Sequence, residues 1–371
     1  MKILILGGTG AMGKPLVEIL NAAGRTETDI LVTSRSPYPS KENVKYLVGN
    51  ARDNIFLSSL LYEKPDAIVD FMNYDLDEFA ARIPMLLGST KHYIWFSSCR
   101  VYAESDKPLT ESSPRLLETS CDKDFLATNR YALRKARQED LLKNSGFNNY
   151  TIIRPYITYN DERLQLGILE KEQWLYRLLN GKPLVVSKTM LDKTTTLSHG
   201  DDVAAVVAKL IGNDNALEQT IQIAGPHTVK WIDLLKNIYI PILQKYINVP
   251  PTYCSDSIKA IEMLYEGGYN TIYDRNYDRV FDSSKIDRLV GPVSYKSIEE
   301  GIGSSLTNFL DGERKFLHID PIYEAYQDIL TDTMSDERYF DNIEDFETYK
   351  RYRNKPLSDI EGLEDNKKVI L

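Results

Sequence analysis

The sequence predicts an α/β protein built on a doubly wound parallel sheet. Short apolar runs alternate with helix-like segments through the first half, and a glycine-rich loop directly follows the first run. The 371 residues are also enough for two domains of about 150 residues each. The runs occupy residues 3–6, 30–33, 45–48, 67–71, 93–97 and 151–153, a spacing that marks βαβ units whose strands are covered on both faces. After Arg154-Pro155 the rhythm changes to longer helical and loop segments, with one more apolar stretch at 220–223. The expected division is a doubly wound domain over 1–155 with returning segments near 190–225, a smaller discontinuous region over 156–318, and an extension over 319–371. That extension holds fourteen acidic and seven basic residues. A charge run of this kind is expected to be a solvated surface helix or a partly ordered tail, with an oligomer contact as the alternative.

Composition excludes several classes. With 42% hydrophobic and 27% charged residues the chain is a folded one, not a disordered one. A net charge of −9 argues against a face for nucleic acid or anionic lipid. No apolar stretch approaches the roughly 18 residues of a membrane span. The run after Met1-Lys2 stops at Gly7, short of the roughly 7–15 apolar residues of a signal peptide. Cys99, Cys121 and Cys254 show no CxxC spacing, and His92, His199, His227 and His318 no HxxxH pairing. The expectation is a cytoplasmic, metal-free protein with no nucleic-acid partner and no membrane insertion.

After the first run comes Gly7-Gly8-Thr9-Gly10-Ala11-Met12-Gly13, then a helix-like run from Pro15 to Ala23 that ends at Gly24. Gly7 suits a tight turn, Gly10 a close backbone approach to a pyrophosphate, and Gly13 close helix–strand packing. The helix N-terminus then offers free N–H groups and a positive dipole end to the phosphates. Placed between first strand and first helix, this is a Rossmann-type dinucleotide signature, with Gly7, Thr9, Gly10, Ala11, Met12 and Gly13 as the cradle. Some twenty residues on, where NAD sites carry an acid for the ribose 2′-hydroxyl, the chain has Thr33-Ser34-Arg35. Without a carboxylate to repel a 2′-phosphate, and with Ser34 and Arg35 to receive it, NADP is favoured over NAD. Asp53, after the third run, is either an adenine contact or a turn and cap residue.

The decisive stretch is Tyr131-Ala132-Leu133-Arg134-Lys135, inside a helical pattern that continues to Leu142. Residues four apart share a helix face, so the phenol and the ammonium can address one substrate atom. A free phenol is a poor base at neutral pH, and a neighbouring ammonium makes it a usable one. Upstream, the fifth run ends in Ser97-Ser98-Cys99-Arg100-Val101-Tyr102. A hydroxyl at the C-terminal end of a parallel strand faces the cofactor crevice, where it can bond the oxygen whose charge changes.

At this point the chain resembles the extended short-chain dehydrogenase/reductase superfamily, in its nucleotide-sugar epimerase, dehydratase and reductase branch. The resemblance rests on the glycine loop, Ser98 four residues before Tyr102, Tyr131 with Lys135, Arg154-Pro155, His199-Gly200-Asp201-Asp202-Val203, and Phe281-Asp282-Ser283-Ser284-Lys285 before Gly301. It implies that Ser98 polarises the substrate oxygen and Tyr131 moves the proton. Lys135 would favour the ionised phenol and hold the nicotinamide ribose. The backbone near Tyr156 would meet the nicotinamide carboxamide. Arg100 and Arg279 are candidate substrate contacts, Arg279 for a nucleotide diphosphate. A paired-helix homodimer is expected from the same likeness.

Departures qualify the likeness. Dehydratases carry an Asp-Glu pair directly after the active-site hydroxyl residue, and here Cys99-Arg100 stands instead, which argues against dehydration. Cys99 is one position out of register with the proton-transferring cysteine of some epimerase–reductases and reads first as a small buried residue. Thr194, Thr195 and Thr196 replace an expected phosphate-binding Arg, with Lys193 as a substitute, and Met72-Asn73 stand where alanines are usual. The first expectation is an NAD(P)-dependent nucleotide-sugar 4-epimerase or 4-ketoreductase. The alternatives are a reductase of a non-nucleotide carbonyl and a non-catalytic dinucleotide-sensing or RNA-associated protein.

Overall fold

The computed structural model describes residues 1–23, 28–256, 258–364 and 369–371; the helix stop expected at Gly24 lies outside them. All seven apolar runs become strands of one sheet: β1 (Lys2–Leu6), β2 (Asp29–Ser34), β3 (Val44–Val48), β4 (Ala67–Asp70), β5 (His92–Phe96), β6 (Tyr150–Pro155) and β7 (Gln219–Ile223). Their order is β7-β6-β5-β4-β1-β2-β3, and every pair is parallel. The two-residue period of a strand divides the apolar side chains between two layers. Ile3, Ile5, Val32, Ile94 and Ile221 face one core, and Leu4, Leu6, Ile68, Trp95 and Ile152 face the other.

Helix α1 (Gly13–Ala22) lies on the first layer. On the second lie α2 (Asn54–Leu61), α3 (Leu76–Gly88) and α4 (Tyr131–Lys143). The strand order reverses between β1 and β4, and a crevice opens there at the carboxyl ends of the strands. The returning segments expected near 190–225 supply β7 and a helix, Gly200–Leu210, that packs against α1. Arg154, at the end of β6, ties the sheet to α4 through the buried Glu139, with Nε and Oε1 2.7 Å apart.

The second region is built around α5 (Lys171–Leu179) and a small sheet of Leu184–Ser187, Thr252–Ser255 and Val369–Ile370. Here the reading of the extension as a solvated appendage is corrected. Its helix Pro321–Thr331 buries Tyr323, Ala325 and Leu330 completely, and its acids go inside with them. Arg177 of α5 donates to Asp328 at 2.8 Å and to Glu324, and Lys182 donates to Asp328 at 2.5 Å. The Gln327 amide bonds both the N–H and the carbonyl of Val185. Burial pushes the Glu324 carboxyl up to about 7, whereas Arg177 and Lys182 overcome burial at Asp328 and hold it at about 2. The acids belong to a buried ion network, and Val369–Ile370 closes the small sheet as an antiparallel edge. No helix among the described residues is long and apolar enough to cross a membrane.

Candidate active site

The glycine loop divides its labour as its residues predict. Gly7 has φ +71°, a left-handed conformation that closes the turn after β1. A Cβ on Gly13 would stand 2.6 Å from the Gly8 carbonyl carbon, so only glycine lets α1 pack this closely. Gly10 faces open space. Helix α1 has no side-chain cap and no acid in its first turn; the Lys14 N–H bonds the Gly10 carbonyl at 3.0 Å and Pro15 has no N–H, so the Gly13 N–H and the positive end of the helix dipole are what its first turn offers an anion. These features fit a dinucleotide pyrophosphate. Gly200 adds a contact: a Cβ there would lie 2.4 Å from the Ala11 oxygen, so the Gly200–Leu210 helix begins against the loop. Replacing Gly13 with Ala forces backbone apart and is expected to cost about 1–3 kcal/mol. Urea denaturation checks this, and an unchanged midpoint would contradict the packing argument.

Two cavities share this loop. One, of about 600 Å³, is lined by Gly7, Thr9, Gly10, Ser34 and Arg35, together with Asn50, Ala51, Arg52, Met72 and Asn73. Asp53 does not line it. Its Oδ1 accepts from the N–H groups of Ile55 and Phe56 at 2.8 and 2.9 Å and caps α2, which is the turn-and-cap alternative. Asn50 and Ala51, directly after β3, occupy the cleft instead.

The other cavity, of about 500 Å³, collects Met12, Ser98, Arg100, Tyr131 and Tyr156. Tyr131 is the first residue of α4, and Lys135 follows one turn later. The Lys135 ammonium is buried; Nζ donates to the Phe96 carbonyl at 2.7 Å and sits 5.8 Å from the centre of the Tyr131 ring. The guanidiniums of Arg100 and Arg134 stand 4.9 and 5.9 Å from that ring centre. Ser98 accepts the Arg100 N–H at 3.2 Å, which leaves its own proton to give. Cys99 lies outside the chemistry: its buried thiol donates to the Arg154 carbonyl, and burial pushes it far above its ordinary value.

Behind Lys135 lies a second buried group. Asp70 ends β4 and accepts from the Tyr93 hydroxyl at 2.8 Å and the Met72 N–H at 2.9 Å. Burial pushes Asp70 up to about 6 and Lys135 down to about 7, the latter against the pull of Asp70. Folding therefore disfavours the Lys135 ammonium. The cost is complete below pH 7 and is relieved as pH rises toward the unfolded lysine value near 10.5. Asp70 works in a lower window: its cost grows from about pH 4 to 6 and is constant above. The cofactor-free protein should thus gain stability between pH 7 and 9, and Lys135→Met should remove most of that gain in denaturant titrations.

Arg279 is corrected as a substrate contact. It is 1% exposed, and its guanidinium is spent on Asp274 at 3.0 Å and on the carbonyls of Tyr102, Ala103 and Tyr273. Lys193 and the threonines after it do not line the cavity either. The far wall is formed by residues that carry no sequence signal, among them Gln165, Glu170, Tyr265, Glu266, Asn270 and Arg275. Four buried polar atoms of the cavity, Arg100 Nε, Gln165 Oε1, Tyr265 Oη and Asn270 Oδ1, have no hydrogen-bond partner among the described residues, Arg100 Nε standing 3.9 Å from Asp274. Among the described residues the one cluster of metal-ligand type, His318 with Asp341 and Asp345, lies where the second region meets the extension and lines neither cavity.

Sheet order and glycine cradle are those of a Rossmann-type fold, with Ser98 and Tyr131 on the wall of its crevice and Lys135 behind them. The profile of the NAD(P)H-binding family matches residues 7–214, more than half of the chain, and the chain belongs to that family within the extended short-chain dehydrogenase/reductase superfamily. The 2′-dehydrokanamycin reductase of Streptomyces kanamyceticus is 25% identical over 297 residues, covering 78% of this chain and 79% of its own. The chloroplast stem-loop binding protein of 41 kDa b of Arabidopsis thaliana is 28% identical over 252 residues, 63% of this chain and 61% of its own. The fold is shared with UDP-glucuronic acid 4-epimerase from Bacillus cereus, with a TM-score of 0.61, 16% identity, and 84% and 99% of the two chains covered. It is shared also with dTDP-glucose 4,6-dehydratase from Bacillus anthracis, with a TM-score of 0.62, 14% identity, and 85% and 98% covered.

Proposed function

We propose that this protein is an NADP(H)-dependent reductase of a ketone on a hydroxyl-rich ring that carries no nucleotide diphosphate. The observation that carries this is the state of the arginines in the substrate cavity. Arg100 pairs with Glu266 at 3.0 Å, Arg163 with Glu170 at 3.0 Å, and Arg275 with Asp274. With Arg279 withdrawn as well, a diphosphate would have to break existing pairs to find a cation. The unpartnered donors and acceptors on the far wall match ring hydroxyls, which both give and receive hydrogen bonds. The relative named as a 2′-dehydrokanamycin reductase supports the same reading, since that substrate is not a nucleotide sugar. Arg35, in a cofactor cleft lined by no carboxylate, favours NADP over NAD.

The residues then have distinct tasks. Thr9, Gly10 and the α1 N-terminus would hold the pyrophosphate, and Ser34 and Arg35 the 2′-phosphate. When bound, the dinucleotide supplies the hydride. The Tyr131 hydroxyl gives its proton to the substrate oxygen as that oxygen becomes an alcohol, and the Ser98 hydroxyl donates to the same oxygen. The guanidiniums of Arg100 and Arg134 beside Tyr131 stabilise the negative charge left on the phenol oxygen. A cytoplasmic homodimer through α3 and α4 is part of the proposal. Its seam would be polar, because neither helix exposes a large apolar side chain among the described residues.

The test uses NADPH consumption with 2-keto-myo-inositol, a nucleotide-free ring ketone, beside a UDP-linked 4-keto sugar, together with calorimetric titration of UDP into the NADP⁺-loaded protein. Turnover of the free ring without UDP binding is the expected result. Turnover of the UDP-linked ketone alone, or micromolar binding of UDP, would overturn the reading.

A further inference from the structure

We propose that Arg52 is a second cation for the 2′-phosphate of the dinucleotide, acting with Arg35 in the same cleft; the inference rests on the NADP reading above. Arg35 and Arg52 are the two charged residues that line the cofactor cavity, and no carboxylate accompanies them. A 2′-phosphate, with about −1.5 to −2 charge, would meet two guanidiniums and no anion. The sheet brings the two segments together. Ser34 is paired in register with Val48, and the Gly49 N–H donates to the Ser34 carbonyl at 2.9 Å, so the chain from Gly49 to Arg52 begins beside Arg35.

The backbone of Arg52 is fixed, and its side chain makes only exposed contacts. Asp53 caps α2 immediately after it, and the buried Arg82 donates to the carbonyls of both Ala51 and Arg52. The Arg52 side chain is nearly half exposed. Its guanidinium donates to the Asn73 carbonyl and stands 3.4 Å from Glu78. An exposed pair at that separation is weak, and Glu78 keeps Arg82 at 3.4 Å if Arg52 leaves. Among the described residues Arg35 has no partner at all. Both guanidiniums are therefore available to a phosphate at little cost.

The test is fluorescence titration of the wild type, Arg35→Ala and Arg52→Ala with NADPH and with NADH, with 2′,5′-ADP as a competitor that carries the 2′-phosphate but no nicotinamide. Arg52→Ala is expected to weaken NADPH and 2′,5′-ADP by about tenfold, the loss of one charge-assisted contact, while NADH stays within about twofold. Equal weakening of NADPH and NADH, or no change in either, while Arg35→Ala still abolishes the preference, would overturn the role of Arg52 alone. Equal binding of NADPH and NADH by the wild type would overturn the NADP reading and this inference with it. An unchanged thermal midpoint for Arg52→Ala shows that the cleft is intact.

Discussion

Tyr131→Phe is expected to lower turnover by about 10²–10⁴-fold while leaving dinucleotide affinity within a factor of about two. The phenyl ring keeps the shape of the cavity and the contacts with Arg100 and Arg134, so only the proton donor is lost. Lys135 stays anchored to the Phe96 carbonyl and cannot take over, because its hydrogen bond and burial hold it behind the ring. Steady-state kinetics on the variant, beside a fluorescence titration with NADPH, separates the two effects. A variant that retains more than about a tenth of wild-type turnover would remove Tyr131 from the role of proton donor.

Arg177→Met should have the largest effect on stability, about 3–5 kcal/mol. The arginine is fully buried, and its removal leaves the Glu324 and Asp328 carboxylates facing each other with Lys182 as the remaining cation. Glu324 can protonate, since burial already holds it at about 7, but Asp328 loses the larger of the two cations that offset its burial and keeps Lys182 alone. The loss should appear as a fall in the urea midpoint with a single transition retained, because the extension shares its core with α5 and the small sheet. A change under about 1 kcal/mol, within the range of an exposed ion pair, would mean that the extension is not part of the cooperative unit.

The sheet was legible because its strands are short, buried on both faces and therefore almost continuously apolar; each run from residues 3–6 to 220–223 became a strand. The glycine loop and the Tyr131–Lys135 pair were legible for a similar reason, since local geometry alone fixes what those spacings do. The misreadings involve charged residues whose partners are distant or easily mistaken. Asp53 precedes a helical run and is its cap, one of the two roles its position in the sequence allows. Arg279 reads as a loop arginine until Asp274, buried five residues earlier, is seen to hold it. The acids of the extension read as solvated because Arg177 and Lys182 lie about 150 positions upstream. Gln165, Tyr265 and Asn270 sit on a two-residue strand, a turn and a short helical segment, too short for a period to announce them, so the far wall of the cavity needed the folded chain.

The central claim is hydride transfer at a carbon of a nucleotide-free, hydroxyl-rich ring. Its most direct measurement follows deuterium from NADPH labelled on the nicotinamide into a mixture of nucleotide-linked and nucleotide-free keto sugars, by mass spectrometry, for the wild type and Tyr131→Phe. The expected result is one deuterium on a carbinol carbon of a product without a nucleotide, formed by the wild type and nearly absent with Tyr131→Phe. Deuterium found only in a nucleotide-linked product, or equal transfer by the two proteins, would contradict it.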